Sequence, residues 1–214
     1  MTSLSLQTIK EVIKEKFIGT QYEWESHIEN VIRLFNDNLR FYQPHNMLDV
    51  GFGSGDRTLR IAKYFRMDMQ NVYGIDYNSQ HVVSCNNTFN TKIVDLEIGW
   101  LPYEDNSFDL VICNQVLEHL KNFRKVIDEI TRVTKVKGYF VLGIPNLAHL
   151  INRIYLLFGI QPLCINLNSS HVRGFTHKSF VELLNSINNV KLVDFKGSLM
   201  YPLPYPLAKL LSQH

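Results

Sequence analysis

Leu48-Asp49-Val50-Gly51-Phe52-Gly53-Ser54-Gly55-Asp56 is the stretch whose reading decides the fold. Apolar and acidic residues lead into three glycines spaced two apart. This is the pattern of a buried strand entering a tight turn whose backbone passes close to a ligand. Glycine permits that approach because it has no Cβ and tolerates positive φ. Thr58-Leu59-Arg60-Ile61-Ala62-Lys63-Tyr64-Phe65 follows with helical apolar spacing. The turn therefore opens a helix, whose first N–H groups are free to meet a polar ligand.

Outward from the turn, short apolar runs alternate with helical patterns, the signature of a parallel sheet with βα crossovers. Strands are expected at 47–50, at 72–75 ending on Asp76, at 92–94 ending on Asp95, at 108–113 ending on Asn114 and at 139–144. Helices are expected near 80–88 and over 123–133. Each strand ends in a polar or small residue, and in an open α/β sheet the ligand crevice lies just beyond those carboxyl ends. After Pro145 the alternation stops. Leu147, Leu150, Ile151, Ile154 and Leu157 predict a helix, followed by an irregular stretch over 159–174. Thr176 is placed to cap another helix, and 190–195 reads as a sixth strand. Pro202, Pro204 and Pro206 exclude a central strand there, because proline cannot donate to the ladder.

Before the sheet, Leu6, Ile9, Ile13 and Phe17 fall at helical spacing, and a second helix is expected over 24–40. Tyr22 and Trp24 are read as packing residues. Residues 1–45 are accordingly expected to form an N-terminal helical cap, and 46–214 a cofactor-binding domain.

Composition narrows the function classes. Apolar residues make 45% and charged residues 20% of the 214-residue chain, an ordinary globular balance. A net charge of +2 gives no footprint for a nucleic-acid partner. Cys85, Cys113 and Cys164 are odd in number and far apart, so neither a zinc site nor a disulfide framework is expected. No secretory signal and no membrane span are read, and the cytoplasm is the expected compartment.

Asp76, about twenty residues beyond the turn, suits ribose hydroxyls. A nicotinamide site requires G-x-G-x-x-G, but the third glycine comes early at Gly55. Asp56 stands where the last glycine belongs, and its charge would repel a pyrophosphate. A cofactor without phosphates is expected.

Four segments in order then resemble class I S-adenosylmethionine-dependent methyltransferases of the small-molecule type. Leu48 to Gly55 resembles the first motif and Gly74-Ile75-Asp76 the second. The third is the run Val94-Asp95-Leu96-Glu97, Leu101 to Val111 and Gln115-Val116-Leu117-Glu118-His119-Leu120. Gly138-Tyr139-Phe140-Val141-Leu142 resembles the glycine-led fifth strand. The resemblance implies a Rossmann-like three-layer α/β/α sandwich with a mostly parallel sheet. The family's last antiparallel strand has no clear counterpart among the C-terminal prolines.

The resemblance also implies roles. Gly51, Phe52, Gly53 and Gly55 would pass the methionine moiety of S-adenosylmethionine, with the Asp49 carboxylate meeting its amino group. Asp76 would hold the ribose and Tyr77 would pack on the adenine. Asp95 would accept from the adenine amino group and the Leu96 N–H would reach a ring nitrogen. Asn114 and Gln115 would face the sulfonium, and S-adenosylhomocysteine would leave as product. His119 is the candidate base, with a packing role as the competing reading. Similar quinone-ring O-methyltransferases use such a Glu-His pair for a metal, with a glutamate four residues before the histidine. Gln115 stands there, and no metal is expected.

The acceptor pocket would lie in an insertion at about 146–176, with His149, His171 and Arg173 as candidates beside His177. Pro145-Asn146-Leu147 and the stretch His171 to Thr176 resemble enzymes of cell-surface glycan or lipid biosynthesis, pointing to a small-molecule, sugar or lipid-linked hydroxyl. The tail 207–211 is expected to pack over the sheet edge, with contact to a membrane surface or a partner subunit as the competing readings. Two other readings stay open: a silent binder of S-adenosylmethionine with the same fold, and an NAD-dependent oxidoreductase.

Overall fold

The computed structural model describes residues 21–98 and 100–197. They fall into two units, one of 21–40 with 193–197 and the other of 41–192. The first unit holds helix α1 (Gln21–Asn38), in which Asn38 Nδ2 donates to Asp194 Oδ2 at 2.7 Å. Lys196 Nζ pairs with Asp37 at 2.8 Å. The N-terminal helix expected around Leu6 to Phe17, the side chains of Tyr22 and Trp24, and the C-terminal tail lie outside the described residues.

The second unit is a parallel sheet in the order β3-β2-β1-β4-β5. Its strands are β1 (Met47–Val50), β2 (Val72–Asp76), β3 (Asn90–Ile93), β4 (Phe108–Asn114) and β5 (Thr134–Gly143). The order reverses between β1 and β4, both buried along almost their whole length. Such strands, covered on both faces, read in sequence as continuous apolar runs. The ligand crevice of this sheet class opens at that reversal, beyond the strand ends.

Helices α2 (Asp56–Tyr64), α3 (Ser79–Cys85) and α4 (Phe123–Val133) connect the strands. In α4, Val126, Ile127, Ile130 and Val133 are all fully buried, which is the apolar stripe that 3.6-residue periodicity lays on one face. Residue Thr134 continues it by donating Oγ1 to the Ile130 carbonyl at 2.6 Å. Helix α5 (Leu150–Leu157) and helix α6 (His177–Asn185) follow the sheet. Thr176 caps α6 as expected, its Oγ1 accepting from the Ser179 N–H at 3.3 Å.

Two expectations need correction. Strand β5 begins at Thr134, earlier than the expected 139, and is interrupted by Lys137 at φ 66. The pairing with β4 shifts there, from Phe108↔Thr134 to Leu110↔Tyr139. A strand over 190–195 does not form; those residues are irregular. Val193 and Phe195 are more than half exposed, so the apolar alternation has no buried face to serve. Among the described residues the sheet has five strands.

Candidate functional site

The glycine turn sits at the end of β1, beside the reversal of strand order. All three glycines have positive φ: Gly51 at 72°, Gly53 at 60° and Gly55 at 84°. They are not equivalent. A Cβ on Gly51 would strike the Val116 side chain, and one on Gly55 would come 2.8 Å from Cys85 Sγ. At Gly53 a Cβ would meet nothing within 4 Å. The protein's own packing demands the outer glycines, while the middle one faces open space where a ligand can lie against the backbone.

Asp76, at the end of β2, is 6% exposed and holds this turn. Its Oδ2 accepts from the Gly53 N–H at 2.9 Å and its Oδ1 from the Asn78 N–H at 2.9 Å. His81 Nδ1 lies 3.4 Å from Oδ1. Tyr77 is 80% exposed beside it, leaving a ring face open at the strand end. Asp95, past the end of β3, is exposed, and its Oδ1 accepts from the Glu97 N–H at 2.9 Å. That bond starts the single turn Leu96–Ile98, in which the Leu96 side chain is buried.

Three expected ligand contacts are turned inward instead. Asp49 is fully buried; its Oδ1 takes Arg57 Nη2 at 2.7 Å and its Oδ2 takes Thr58 Oγ1 at 2.7 Å. Shut off from solvent, this carboxylate anchors α2 to β1. Phe52 is 3% exposed, its ring edge-on to Phe89 at 5.4 Å, and only its backbone borders the turn. Asn114 is 6% exposed, and its side chain lies against Gly143 of β5, where a Cβ would collide with it. Gln115 follows at φ 58, its N–H donating to the Gly143 carbonyl at 2.8 Å.

Arg57 was not singled out from the sequence. Its guanidinium is 6% exposed and reaches the Gly51 carbonyl at 3.1 Å and the Asn114 carbonyl at 3.4 Å as well as Asp49. It therefore bridges the ends of β1 and β4. An arginine one residue after a helix start is ordinary in sequence, and only the third dimension shows that it points into the sheet.

Beyond β4 the turn Leu117–His119 brings two histidines together. The Val172 and Arg173 N–H groups donate to the Glu118 carbonyl at 2.9 and 3.2 Å, which lays the irregular segment over this turn. The His119 and His171 rings then meet edge-on, 4.7 Å between centroids. Glu118 is fully buried, and neither carboxylate oxygen has a hydrogen-bond partner. Burial pushes its carboxyl up to about 7. His171 Nε2 stands 4.0 Å from Glu118 Oε1. Burial, with the neighbouring His171, holds the His119 imidazole below its ordinary value.

The remaining acceptor candidates do not join this group. Arg173 lies over the Phe123 ring, 4.4 Å from its centroid, and Nη2 donates to the Lys121 carbonyl at 3.3 Å. It clamps the segment in place. His149 precedes α5 as its cap residue, and His177 begins α6. Cys113 is fully buried in the core, where burial pushes its thiol up, in keeping with an inert packing role.

Asp56 begins α2, a place where the helix dipole favours an acid and where dinucleotide sites put a pyrophosphate. Its Oδ2 accepts from Ser54 Oγ at 2.8 Å. The position is taken by a negative charge of the protein's own.

A family profile described as a methyltransferase domain matches residues 48–142. The uncharacterized methyltransferase YcgJ of Bacillus subtilis is 31% identical over 104 residues, covering 46% of this chain and 40% of that protein. Ajmaline N-methyltransferase of Rauvolfia serpentina is 29% identical over 122 residues, covering 50% of this chain and 41% of that one. The chain thus spans about two fifths of the length of these curated relatives. Among solved structures, a SAM-dependent methyltransferase of Archaeoglobus fulgidus is 17% identical with a TM-score of 0.56, covering 95% of this chain and 90% of its own. Residues 48–142 thus match a methyltransferase-domain profile, and the parallel sheet with its flanking helices has the α/β/α fold of that Archaeoglobus methyltransferase. No helix among the described residues is long and apolar enough to cross a membrane.

Proposed function

We propose that this chain transfers a methyl group from S-adenosylmethionine to an oxygen of a small-molecule, sugar or lipid-linked acceptor. The observation that carries the reading is the turn itself. Gly53 leaves room against the backbone, while Asp76 stands at the neighbouring strand end and Asp95 follows β3. An open glycine cradle flanked by two carboxylates, with Asp56 at the helix start, suits a cationic nucleoside and not a diphosphate. When bound, the cofactor supplies a methyl group on a positively charged sulfur.

The chain's residues then have separate tasks. The Gly53 backbone admits the methionine moiety, and the carbonyls at the ends of β1 and β4 suit its amino group. Asp76 binds the ribose hydroxyls, Tyr77 offers its open ring to the adenine, and Asp95 with the Leu96 N–H reads the adenine edge. Transfer in line requires mainly alignment of donor and acceptor. A hydroxyl acceptor also has to lose its proton, for which a neutral imidazole is suited. His119 is neutral at pH 7 by the direction of its shift, and its Nδ1 faces the Ser170 carbonyl at 3.2 Å. A carbonyl only accepts, so Nδ1 carries the hydrogen and Nε2 is left to receive a proton.

An apolar acceptor is supported by the segment after the sheet. Leu150, Leu156, Leu157 and Phe158 of α5 and its end, with Leu167 beyond, are all more than half exposed. The likeness to an ajmaline N-methyltransferase supports small molecules as a class.

Incubation of the chain with methyl-labelled S-adenosylmethionine and fractionated cell extract tests the reading. Label is expected in a sugar or lipid fraction. Calorimetry that shows NAD binding and none of S-adenosylmethionine or S-adenosylhomocysteine overturns it.

A further inference from the structure

Glu118 is a buried carboxyl with nothing to bond. It is 0% exposed, and both of its oxygens lack a partner. Leaving such a group unpaired is costly, and more so when it is charged. A buried carboxyl in this condition either keeps its proton or takes a cation. Its surroundings offer the means for the second course.

His171 turns its Nε2 toward it at 4.0 Å from Oε1, and the His119 ring stands edge-on to that of His171. In each ring Nδ1 is occupied by a carbonyl, that of Ser170 for His119 and that of Cys164 for His171. A carbonyl oxygen cannot donate, so each Nδ1 carries the hydrogen and each Nε2 has its lone pair free. A ring N–H anchored on a backbone carbonyl, with the other nitrogen presented, is how ligating histidines are oriented. One ligand atom from each of Glu118, His119 and His171 can be chosen so that all lie within 4.8 Å of one another.

We propose that Glu118, His119 and His171 form a binding site for one divalent transition-metal ion, with zinc the best match to the donor set. Two imidazoles and one carboxylate suit zinc and its first-row neighbours rather than magnesium or calcium, which prefer oxygen ligands. Bond lengths of about 2.0–2.2 Å in a tetrahedral site bring ligand atoms to about 3.3 Å apart. From the present spacing, within 4.8 Å, the ligand atoms close by at most about 1.5 Å to reach that separation. His171 supplies the third ligand from the segment that the Glu118 carbonyl already holds.

Three protein ligands leave a fourth position for water or an oxygen of another molecule. Where the methyl-transfer reading holds, that position would seat the acceptor oxygen and lower its pKa. With the metal bound, the acceptor proton is lost to solvent from the metal-held oxygen, and His119 Nε2 serves as base only in the metal-free chain, a point that rests on that reading. Metal binding itself does not rest on it.

The untagged full chain, stripped with a chelator and dialysed, would be titrated with Co²⁺ while visible absorption is followed, then competed with Zn²⁺. One equivalent is expected, with tetrahedral or five-coordinate d–d bands and no thiolate charge-transfer band. Glu118→Gln and His171→Ala are each expected to weaken Co²⁺ binding at least 100-fold, while Cys164→Ser leaves it within threefold. Zn²⁺ is expected to raise the melting temperature of the parent chain and not that of His171→Ala. Calorimetry with S-adenosylmethionine on the same variants checks that they are folded. No stoichiometric binding, or binding that survives in the Glu118→Gln/His171→Ala double variant, overturns the site. Absent S-adenosylmethionine binding with intact Co²⁺ binding would defeat the methyl-transfer reading and leave the metal site standing.

Discussion

Asp76 Oδ2 lies 2.9 Å from the amide nitrogen of Gly53, so the acid at the end of one strand holds the middle of the turn at the end of the next. The same carboxylate fixes the Asn78 N–H through its other oxygen. A single side chain thus orders the turn and stands where the ribose is expected. Asp76→Ala is expected to weaken S-adenosylmethionine binding by about 1.5–3 kcal/mol through loss of charge-assisted hydrogen bonds. Calorimetry reads this directly, and an unchanged affinity removes Asp76 from the site.

The glycines divide by what lies against them. Gly53→Ala is expected to leave the fold standing, at a cost of about 1–2 kcal/mol for the left-handed backbone, and to abolish detectable cofactor binding. Gly51→Ala drives a methyl group into Val116 and is expected to lower stability as well. Melting curves beside calorimetry separate the two. Equal loss of stability in both variants would contradict the open cradle.

The Asp49–Arg57 pair is the charged joint beneath the turn, 2.7 Å long and screened from water. Arg57→Met leaves the carboxylate with Thr58 alone and is expected to cost about 3–5 kcal/mol, the range for an uncompensated buried charge. Urea unfolding checks it, and a midpoint unchanged from the parent's would mean that the joint contributes nothing net.

A second carboxylate sets the acid limit. Burial alone would raise Asp109, but the Asn46 N–H, the Lys135 ammonium and the His45 N–H outweigh it and hold its carboxyl below the ordinary 3.8. A carboxyl with a lowered folded value contributes stability that is present above the unfolded pKa and lost as pH falls through the folded one. The parent chain is therefore expected to lose stability on acidification below about pH 4. In Asp109→Asn the neutral-pH stability is lower and this slope is flatter. Parallel melting-temperature profiles for the two chains between pH 3 and pH 7 would sink the idea.

The inner sheet was legible because β1 and β4 are buried on both faces and leave apolar runs broken only by Asp49 and Asp109 before the closing Asn114. Helix α4 was legible to the residue, since its apolar stripe is regular. The stretch 190–195 misled because strand pairing is set by distant partners, and alternation alone says nothing of whether a sheet edge is there to receive it. At the candidate site, the glycines and Asp76 could be placed from spacing, and Asp95 only from the family resemblance. Asp49, Phe52 and Asn114 stand at the right places in the chain, but their side chains turn toward Arg57, Phe89 and Gly143. The pairing of His119 with His171 crosses an irregular segment whose course no periodicity encodes.

Arg57 touches the Gly51 and Asn114 carbonyls from a buried position, and so sets the separation of the two crevice walls before any ligand arrives. In population terms, such a joint is expected to make the binding-competent arrangement the dominant one in the free protein. An arrangement fixed in this way before binding leaves little of the apparent affinity to be lost to incompetent molecules. Donor binding should accordingly proceed with little reordering, at a rate set by encounter, and differences in affinity among donor analogues should report their contacts alone.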